Sequence, residues 1–447
     1  MANLQRVVKT EIFPSNRSAN NNIWSYRQGN PILNFTISGN EQKYLLSNTL
    51  RLNFTYRLRT AAGAFPNNDN QSGAGLVEIV NNDKIGAVSA IQSLTITNKF
   101  NQTLEQVRNY PRLLATMIPA RANFGDYASV EQMRFGACSN VSAQGMLNNA
   151  DFQVSMPILA GIFLMGDQIP MGDHGTGGMQ LKIHLSPSIE ANYGANAAGS
   201  YWEIVNPTLS FSFGIPLGGV LPKIKSYPYL SYSSFYNVIN NSDETHNINC
   251  NLSSVISTFS NFVPTNWIAN DQLDGNQTTS LLNNPGTTLP LPGNISIAPL
   301  SRYSVLRGGL LYPYQFQVNE SRLINTNAAG VVVGTTPAQL LRNFLSASSS
   351  TIDDLDSTLL GNLSQNTPAA PSPPNDTLFN TRAEEVFGVG ARQDQLGNAS
   401  GANYKTRNYS HRFQSALNGI SSNSVYTFFL HKNMISFNNS GMIAVAN

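Results

Sequence analysis

Apolar and polar positions alternate with a period of two along much of the chain, a pattern typical of β-strands that bury one face. In the first half the alternation covers residues 32–37, 50–59, 91–97, 152–156, 179–185 and 208–213. In the second half it covers residues 248–252, 255–262, 295–297, 303–306, 314–318, 425–430, 434–437 and 442–445. Two runs of strands of similar length predict an all-β fold of two sandwiches in tandem.

Helix patterns are few and lie between the strands. Residues 336–345 begin with a threonine N-cap and a proline in the first turn, and residues 104–117 and 351–360 carry less complete helix patterns. Because helices do not alternate with strands, a parallel α/β sheet is disfavoured. The long connections predicted at 60–82, 270–293 and 363–403 are rich in Gly, Asn, Thr or Pro and are expected to be surface insertions.

Length and composition favour a two-domain protein that packs against copies of itself. The 447 residues are 41% hydrophobic, and the turn that ends at Gly219 divides them into predicted domains 1–219 and 220–447. Only 12% of the residues are charged, against roughly 25% in an average soluble protein. The net charge is +2 without a basic block, so we expect no direct sequence-specific contact with nucleic acid.

The two cysteines and the N-terminal residues indicate the cellular compartment in which the protein is made. Cys138 and Cys250 are far apart in the sequence, which favours free thiols in a reducing compartment. The first residues lack the apolar core of a signal peptide. The longest apolar stretch, 157–165, is less than half of the roughly 20 residues that a membrane helix requires. We therefore expect synthesis in the cytoplasm or nucleus, no secretion and no transmembrane segment.

The sequence lacks the motifs that an enzyme would carry. There is no phosphate-binding loop, no nucleophile elbow and no His-Glu-x-x-His pair. A sandwich hydrolase would need two carboxylates facing one cleft, and Glu203 and Glu320 give no basis for pairing. His184 lies on the polar face of a strand with Lys182, where solvent or a subunit contact is the expected environment. We predict a protein that is not an enzyme.

Two acidic clusters could hold a metal ion, but a structural role is favoured for both. Asp167, Asp173 and His174 surround a glycine-rich turn, and polar residues of such turns usually face water. Asp353, Asp354 and Asp356 offer the oxygen ligands that calcium prefers, but after Thr351 they match the start of a helix. No catalytic, cofactor-binding or metal-binding residue is predicted, and no cofactor.

Five aromatic residues at 227–236 leave one binding function open. They could line a sugar-binding groove, as in a lectin or fibre-like module, although such residues more often form the core or contact surface of a sandwich. The five are Tyr227, Tyr229, Tyr232, Phe235 and Tyr236.

Several segments of the first half resemble the double jelly-roll major capsid proteins of the tectivirus–adenovirus lineage, above all the virophage and polinton-like branch. FQVSMPILAGIF at 152–163, QIP at 168–170 and GMQLKI at 178–183 look like that family's strand, Pro-apolar-Gly-Phe turn and next strand. RNYPRLL at 108–114 looks like the short helical connection before them, and 32–59 is similar to the family's first strands. The resemblance covers most of residues 25–215.

The resemblance implies two eight-stranded jelly rolls side by side, with a few short helices and long loop insertions. It further implies a major capsid protein that forms pseudo-hexagonal homotrimers in the shell of an icosahedral DNA virus. The implied partners are neighbouring capsomers, penton proteins and minor capsid or cement proteins, through which any internal membrane would be contacted. The alternative is a carbohydrate-binding β-sandwich protein of the lectin or fibre type.

Overall fold

The structure is a computed structural model that describes a large part of the chain. The described residues are 4–16, 22–65, 80–81, 86–114, 151–164, 168–172, 175–187, 192–193, 200–217, 226–240, 243–264, 314–318, 321–325, 389–392, 401–405, 409–414, 423–437 and 443–446.

The strands described in the first half form three antiparallel sheets. They are β1 (Leu4–Ile12), β2 (Ile23–Trp24), β3 (Ile32–Ser38), β4 (Tyr44–Leu46), β5 (Arg51–Arg59), β6 (Val80–Asn81), β7 (Ile91–Asn98), β8 (Thr103–Val107), β9 (Phe152–Pro157), β10 (Gln168–Pro170), β11 (Gly178–Leu185), β12 (Asn192–Tyr193) and β13 (Tyr201–Pro216). A seven-stranded sheet has the order β10-β4-β13-β5-β9, with β1 and β2 also paired to β13. A four-stranded sheet has the order β3-β11-β7-β8, and β6 pairs with β12.

Alternation of residue type explains how the two larger sheets of the first half bury their inner faces. In β5 every second residue is buried, and the strand lies between β13 and β9 in the seven-stranded sheet. Tyr56 of this strand stacks on Trp202 of β13, with ring centroids 6.3 Å apart. In the four-stranded sheet, Phe35 and Leu181 are paired in register and buried. Apolar burial of this extent is the main stabilising contribution to a sandwich.

A short segment after β1 joins the edges of these two sheets. The backbone N–H of Ser15 donates to the carbonyl oxygen of Asn34, and the Asn16 side chain donates to the carbonyl oxygen of Ile32. The Asn16 side chain also accepts the backbone N–H of Asn34. These bonds satisfy backbone groups on the outer edge of β3 that would otherwise be available for edge-to-edge pairing.

One end of the first sandwich depends on close backbone approach. A Cβ atom at Gly39, after β3, would lie 2.3 Å from the carbonyl oxygen of Gly177, before β11. Only glycine allows these two connections to meet at this distance.

The strands described in the second half form two further antiparallel sheets. They are β14 (Ser226–Ile239), β15 (Asp243–Ile248), β16 (Val255–Pro264), β17 (Tyr314–Val318), β18 (Ser321–Asn325), β19 (Val389–Arg392), β20 (Tyr409–Gln414), β21 (Asn423–Phe437) and β22 (Ile443–Ala446). One sheet has the order β14-β21-β16-β19, with β22 on β21, and the other has the order β15-β20-β17-β18.

No described strand of one half pairs with a strand of the other. A large cluster of buried apolar residues nevertheless spans both halves. This cluster includes Tyr229 and Phe428 of the second half together with Leu104 and Ile162 of the first. A second cluster lies wholly in the second half, around Tyr409 and Phe429. The predicted boundary at residue 219 lies outside the described residues.

Helices are short among the described residues. We label the helical residues 110–114 as α1 and Gly161–Leu164 as α2, and 3-10 turns occur at Ser47–Thr49 and Gly86–Ala90. None of the described helices has the length and apolar character to cross a bilayer. The predicted helices at 336–345 and 351–360 lie outside the described residues.

The alternation located ten of the 22 described strands and missed others, among them the long strand β14. Five of the assignments were wrong in part. The helix predicted at 104–117 contains strand β8 in its first turn, and helical residues begin only at 110 after Asn109, whose φ is 51°. The segments 425–430 and 434–437 belong to the single strand β21. Strand β19 lies inside the connection predicted at 363–403, and β6 lies inside that predicted at 60–82.

The fifth error is the strand predicted at 248–252, where β15 ends at Ile248. Ile248, Cys250 and Leu252 are all buried, which explains the alternation. The backbone N–H of Leu252 turns back to the carbonyl oxygen of Cys250, and its own carbonyl oxygen accepts the N–H of Tyr404. The alternation at 248–252 therefore reflects burial of these side chains in the core and does not indicate a strand. The predicted strands at 295–297 and 303–306 lie outside the described residues.

Candidate functional site

The aromatic residues at 227–236 are largely core residues. Tyr227, Tyr229 and Tyr232 are buried, and Phe235 packs edge-on against Phe429 with ring centroids 5.4 Å apart. Tyr236 alone of the five is exposed, at 47%. A sugar-binding groove needs several accessible aromatic faces, so this arrangement favours the core interpretation over the lectin interpretation.

Glu203 lies in an ion-pair network with Arg57 and Arg59 of β5. Its side chain is 5% exposed and lies 3.2 Å from Nε of Arg59 and 3.8 Å from the guanidinium of Arg57. Gln28 also donates to it at 3.0 Å. Arg57 contacts Asp151 at 2.6 Å, and this hydrogen bond lowers the pKa of Asp151. Both carboxyl groups are therefore engaged by arginine side chains of β5. Glu320 lies outside the described residues.

The histidine and metal candidates form no centre in the described part of the chain. His184 is half-buried on β11, and burial followed by the charge of Lys182 lowers its pKa. Among the described residues, no group of three or more His, Cys, Asp and Glu side chains could hold a metal ion. The predicted turn and helix-start residues Asp167, Asp173, His174, Asp353, Asp354 and Asp356 lie outside the described residues, as does Cys138. Cys250 is a buried free thiol.

Beside the ion-pair network of Glu203, part of the outer face of the seven-stranded sheet carries uncharged polar side chains that bond to one another across strands. Asn53 donates to Ser210 at 3.0 Å and accepts from Ser155 at 2.7 Å, which joins β5, β13 and β9. Gln153 donates to Thr55 at 2.9 Å. Because these groups already satisfy one another, covering this face costs less than covering unpaired polar groups. Such a face suits contact with another protein surface.

Exposed apolar side chains occur at the start of the chain. Val7 on β1 is 53% exposed, and Phe13 just after the strand is 72% exposed. Strand β1 pairs with β13 along one edge. An edge strand with accessible apolar residues is a candidate contact surface.

The two halves meet where β14 lies against β8 and α2. The hydroxyl of Tyr229 donates to the carbonyl oxygen of Leu104, and that of Tyr227 donates to the carbonyl oxygen of Ile162 at 3.2 Å. A Cβ atom at Gly161 would lie 1.5 Å from the carbonyl oxygen of Leu230. We call this contact of β14 with β8 and α2 the junction.

Glu105 of β8 lies buried in the junction. Its Oε1 accepts hydrogen bonds from the N–H of Gly161 at 3.0 Å and from the hydroxyl of Ser231 at 2.7 Å. Its Oε2 accepts the N–H of Ile162 at 2.8 Å. Burial raises its pKa to about 6, although the three hydrogen bonds act in the opposite direction. Sequence reasoning missed this residue, because a lone glutamate beside Leu104 gives no signal of its distant partners.

Comparison with known proteins gives a clear result for the fold. No protein-family model and no curated protein matches the chain. A chain of the Sputnik virophage structure covers 100% of this chain and 89% of its own length, with 12% identity and a TM-score of 0.55. The Faustovirus major capsid protein matches over 98% of this chain and 91% of its own length, with 9% identity and a TM-score of 0.58.

A chain of the PBCV-1 virus capsid matches in the same way, covering 99% of this chain and 97% of its own length at 10% identity and a TM-score of 0.56. Identities this low show the fold alone. The chain therefore has the double jelly-roll fold of these capsid proteins, and the predicted all-β fold is confirmed.

Proposed function

We propose that the chain is a major capsid protein of an icosahedral DNA virus and is not an enzyme. The observation that carries this proposal is the match of nearly the whole chain, both sandwiches included, to a chain of the Sputnik virophage, the Faustovirus major capsid protein and a chain of the PBCV-1 virus capsid. A fold match restricted to one sandwich would fit many unrelated functions. A match over both sandwiches in tandem is far more restrictive.

In this proposal each chain has two domains, 1–219 and 220–447, and three copies form a pseudo-hexagonal capsomer. Six sandwiches arranged around one axis can fill a hexagonal position in a shell. The division is supported by the sheets, since the described strands pair only within their own half. The continuous apolar cluster across the junction would hold the two domains of one chain in a fixed relation.

The surface of the first domain supports a role in lateral contacts. The interlinked polar face around Asn53 and the exposed apolar residues Val7 and Phe13 suit burial against neighbouring copies. Contacts that are weak individually are sufficient when each capsomer has several neighbours. The proposed partners are other copies of the chain, neighbouring capsomers, penton proteins and minor capsid or cement proteins. An internal membrane would be contacted through such partners, and we propose no direct sequence-specific contact with nucleic acid.

The proposed location is the virion, after synthesis in the host cytoplasm or nucleus without secretion. The experiment that tests the proposal is sedimentation velocity of the purified full chain over a wide concentration range, followed by negative-stain electron microscopy. We expect a species of three times the 48.6 kDa chain mass and particles of pseudo-hexagonal outline. A single-chain species at the highest concentrations would contradict the proposal. A glycan-dependent rise in melting temperature would instead favour the carbohydrate-binding alternative.

A further inference from the structure

Glu105 is the buried carboxyl group at which three segments of the chain meet. It lies on β8, an edge strand of the first half, and is 3% exposed. Its hydrogen-bond donors come from α2, which is 56 residues away in sequence, and from β14, which is 126 residues away. A side chain that binds both halves at once responds to any change in their relative position.

We propose that Glu105 is an acid-strengthened latch between the two halves, in which uptake of a proton by the carboxyl group tightens the junction. The inference rests on the proposed division into two domains and is independent of the proposed role in a shell.

The geometry accommodates both charge states of the carboxyl group. In the charged state both oxygens accept, and the Ser231 hydroxyl is a donor. In the neutral state a proton taken from solvent sits on Oε1 and is donated to the Ser231 oxygen, because a hydroxyl can reverse its role. The N–H of Ile162 still donates to Oε2 at 2.8 Å. Protonation therefore removes a buried charge and keeps the contact with β14.

The surroundings of Glu105 favour the neutral form. The titratable groups that face it are Tyr110 at the start of α1, Tyr229 on β14 and, across from Ser231, His431 on β21. Within α2, the residues Gly161–Leu164 carry no ionisable side chain. Arg112 of α1 stacks on Tyr426 with its guanidinium 5.2 Å from the ring centroid. Burial is accordingly the largest influence on the pKa of Glu105 and raises it.

The sign of the pH effect follows from proton uptake. The pKa of Glu105 rises from an ordinary 4.5 in the unfolded chain to about 6 in the folded one. The folded state therefore binds more protons between these values, and its stability increases as pH falls from above 6 to below 4.5. With these two pKa values the closing equilibrium becomes about eightfold more favourable from pH 7 to pH 5.

His431 opposes this effect in the wild-type chain. Burial lowers its pKa to about 4, so that its contribution to stability decreases as pH falls. The pH profile of the wild type alone therefore cannot isolate the latch. Comparison with Glu105→Gln does isolate it, because the histidine acts equally in both proteins.

The test is hydrogen exchange measured by mass spectrometry on the full chain, in peptides that contain Gly161 and Ile162. After correction for the intrinsic pH dependence of exchange, we expect protection relative to Glu105→Gln to rise about eightfold between pH 7 and pH 5. A ratio that does not change with pH would overturn the proposal. The oligomeric state is measured separately, so a failure of the latch is distinguishable from a failure of the shell role.

Ser231→Ala is a second variant in case Glu105→Gln does not fold. It removes a donor that favours the charged form, and it leaves the carboxyl group and both backbone donors in place. The midpoint of the protection change should therefore move to higher pH than in the wild type. An unchanged midpoint, or one at lower pH, would overturn the proposal.

Discussion

Replacing Gly161 with alanine should destabilise the junction strongly, although the substitution adds only one methyl group. Gly161 has no left-handed backbone conformation to preserve, so the added methyl group acts only through contact. The new Cβ atom would lie 1.5 Å from the Leu230 carbonyl oxygen. An ordinary contact requires about 3.4 Å, so β14 and α2 must move apart by roughly 2 Å.

The magnitude follows from what this movement breaks. The 2.7 Å hydrogen bond between Ser231 and Glu105 cannot survive a displacement of that size. Loss of a hydrogen bond to a charged group costs about 1.5–3 kcal/mol, and overpacking in a rigid site costs about 1–3 kcal/mol. We therefore expect a loss of about 3–5 kcal/mol in the free energy of unfolding. For domains of about 150–250 residues, the size of the two domains proposed here, the melting temperature changes by about 2–4 °C per kcal/mol.

Differential scanning calorimetry of Gly161→Ala beside Gly29→Ala provides the assay. Gly29 has a φ of +74° and no atom within 4 Å of an added Cβ atom. Its replacement therefore costs only backbone strain of about 1–2 kcal/mol. The expected order of melting temperatures is wild type, then Gly29→Ala, then Gly161→Ala. If Gly161→Ala melts at or above the temperature of Gly29→Ala, the described contact between β14 and α2 is wrong.

Two further predictions concern buried titratable groups of the second half. Burial raises the pKa of Cys250 to about 12, so in the native protein its thiol should resist an alkylating reagent at pH 8 and react on addition of denaturant. Rapid labelling of Cys250 without denaturant would contradict the burial of this thiol in the native protein. Burial lowers the pKa of His431 to about 4, so its contribution to stability is complete above pH 6.5 and is lost toward pH 4, by about 3 kcal/mol. His431→Gln should therefore gain stability relative to the wild type as pH falls through this window in thermal melts, and parallel pH profiles would refute the assignment.

The pattern of residue types was sufficient to identify the class of fold. Alternation along β5 and β11 located strands whose apolar side chains lie on the buried face. This works because the period of a strand is set by local backbone geometry, and one buried face imposes it directly on the sequence. Cys250 was also correctly expected to be a free thiol.

Alternation alone did not distinguish a strand from a buried irregular segment. Residues 248–252 alternate because three of their side chains enter the core, but only Ile248 pairs with a neighbouring strand. The N–H of Leu252 bonds back to Cys250, and its carbonyl oxygen accepts the N–H of Tyr404. In β21 the opposite occurs, because a strand of 15 residues continues through polar positions that separate its two apolar segments. Pairing with β14 from Asn423 to Ser436 supplies the continuity.

The sequence by itself determined the class of fold and, in cleanly alternating strands such as β5 and β11, which side chains are buried. Both depend on neighbours two residues away. Only the tertiary structure decided that Glu105 would lie between the two halves. Its donors on α2 and β14 are distant in sequence, and the environment of a buried charge depends on which segments are folded around it. The physical reason is that strand periodicity is a local property, whereas desolvation and hydrogen bonding at a junction depend on the fold as a whole.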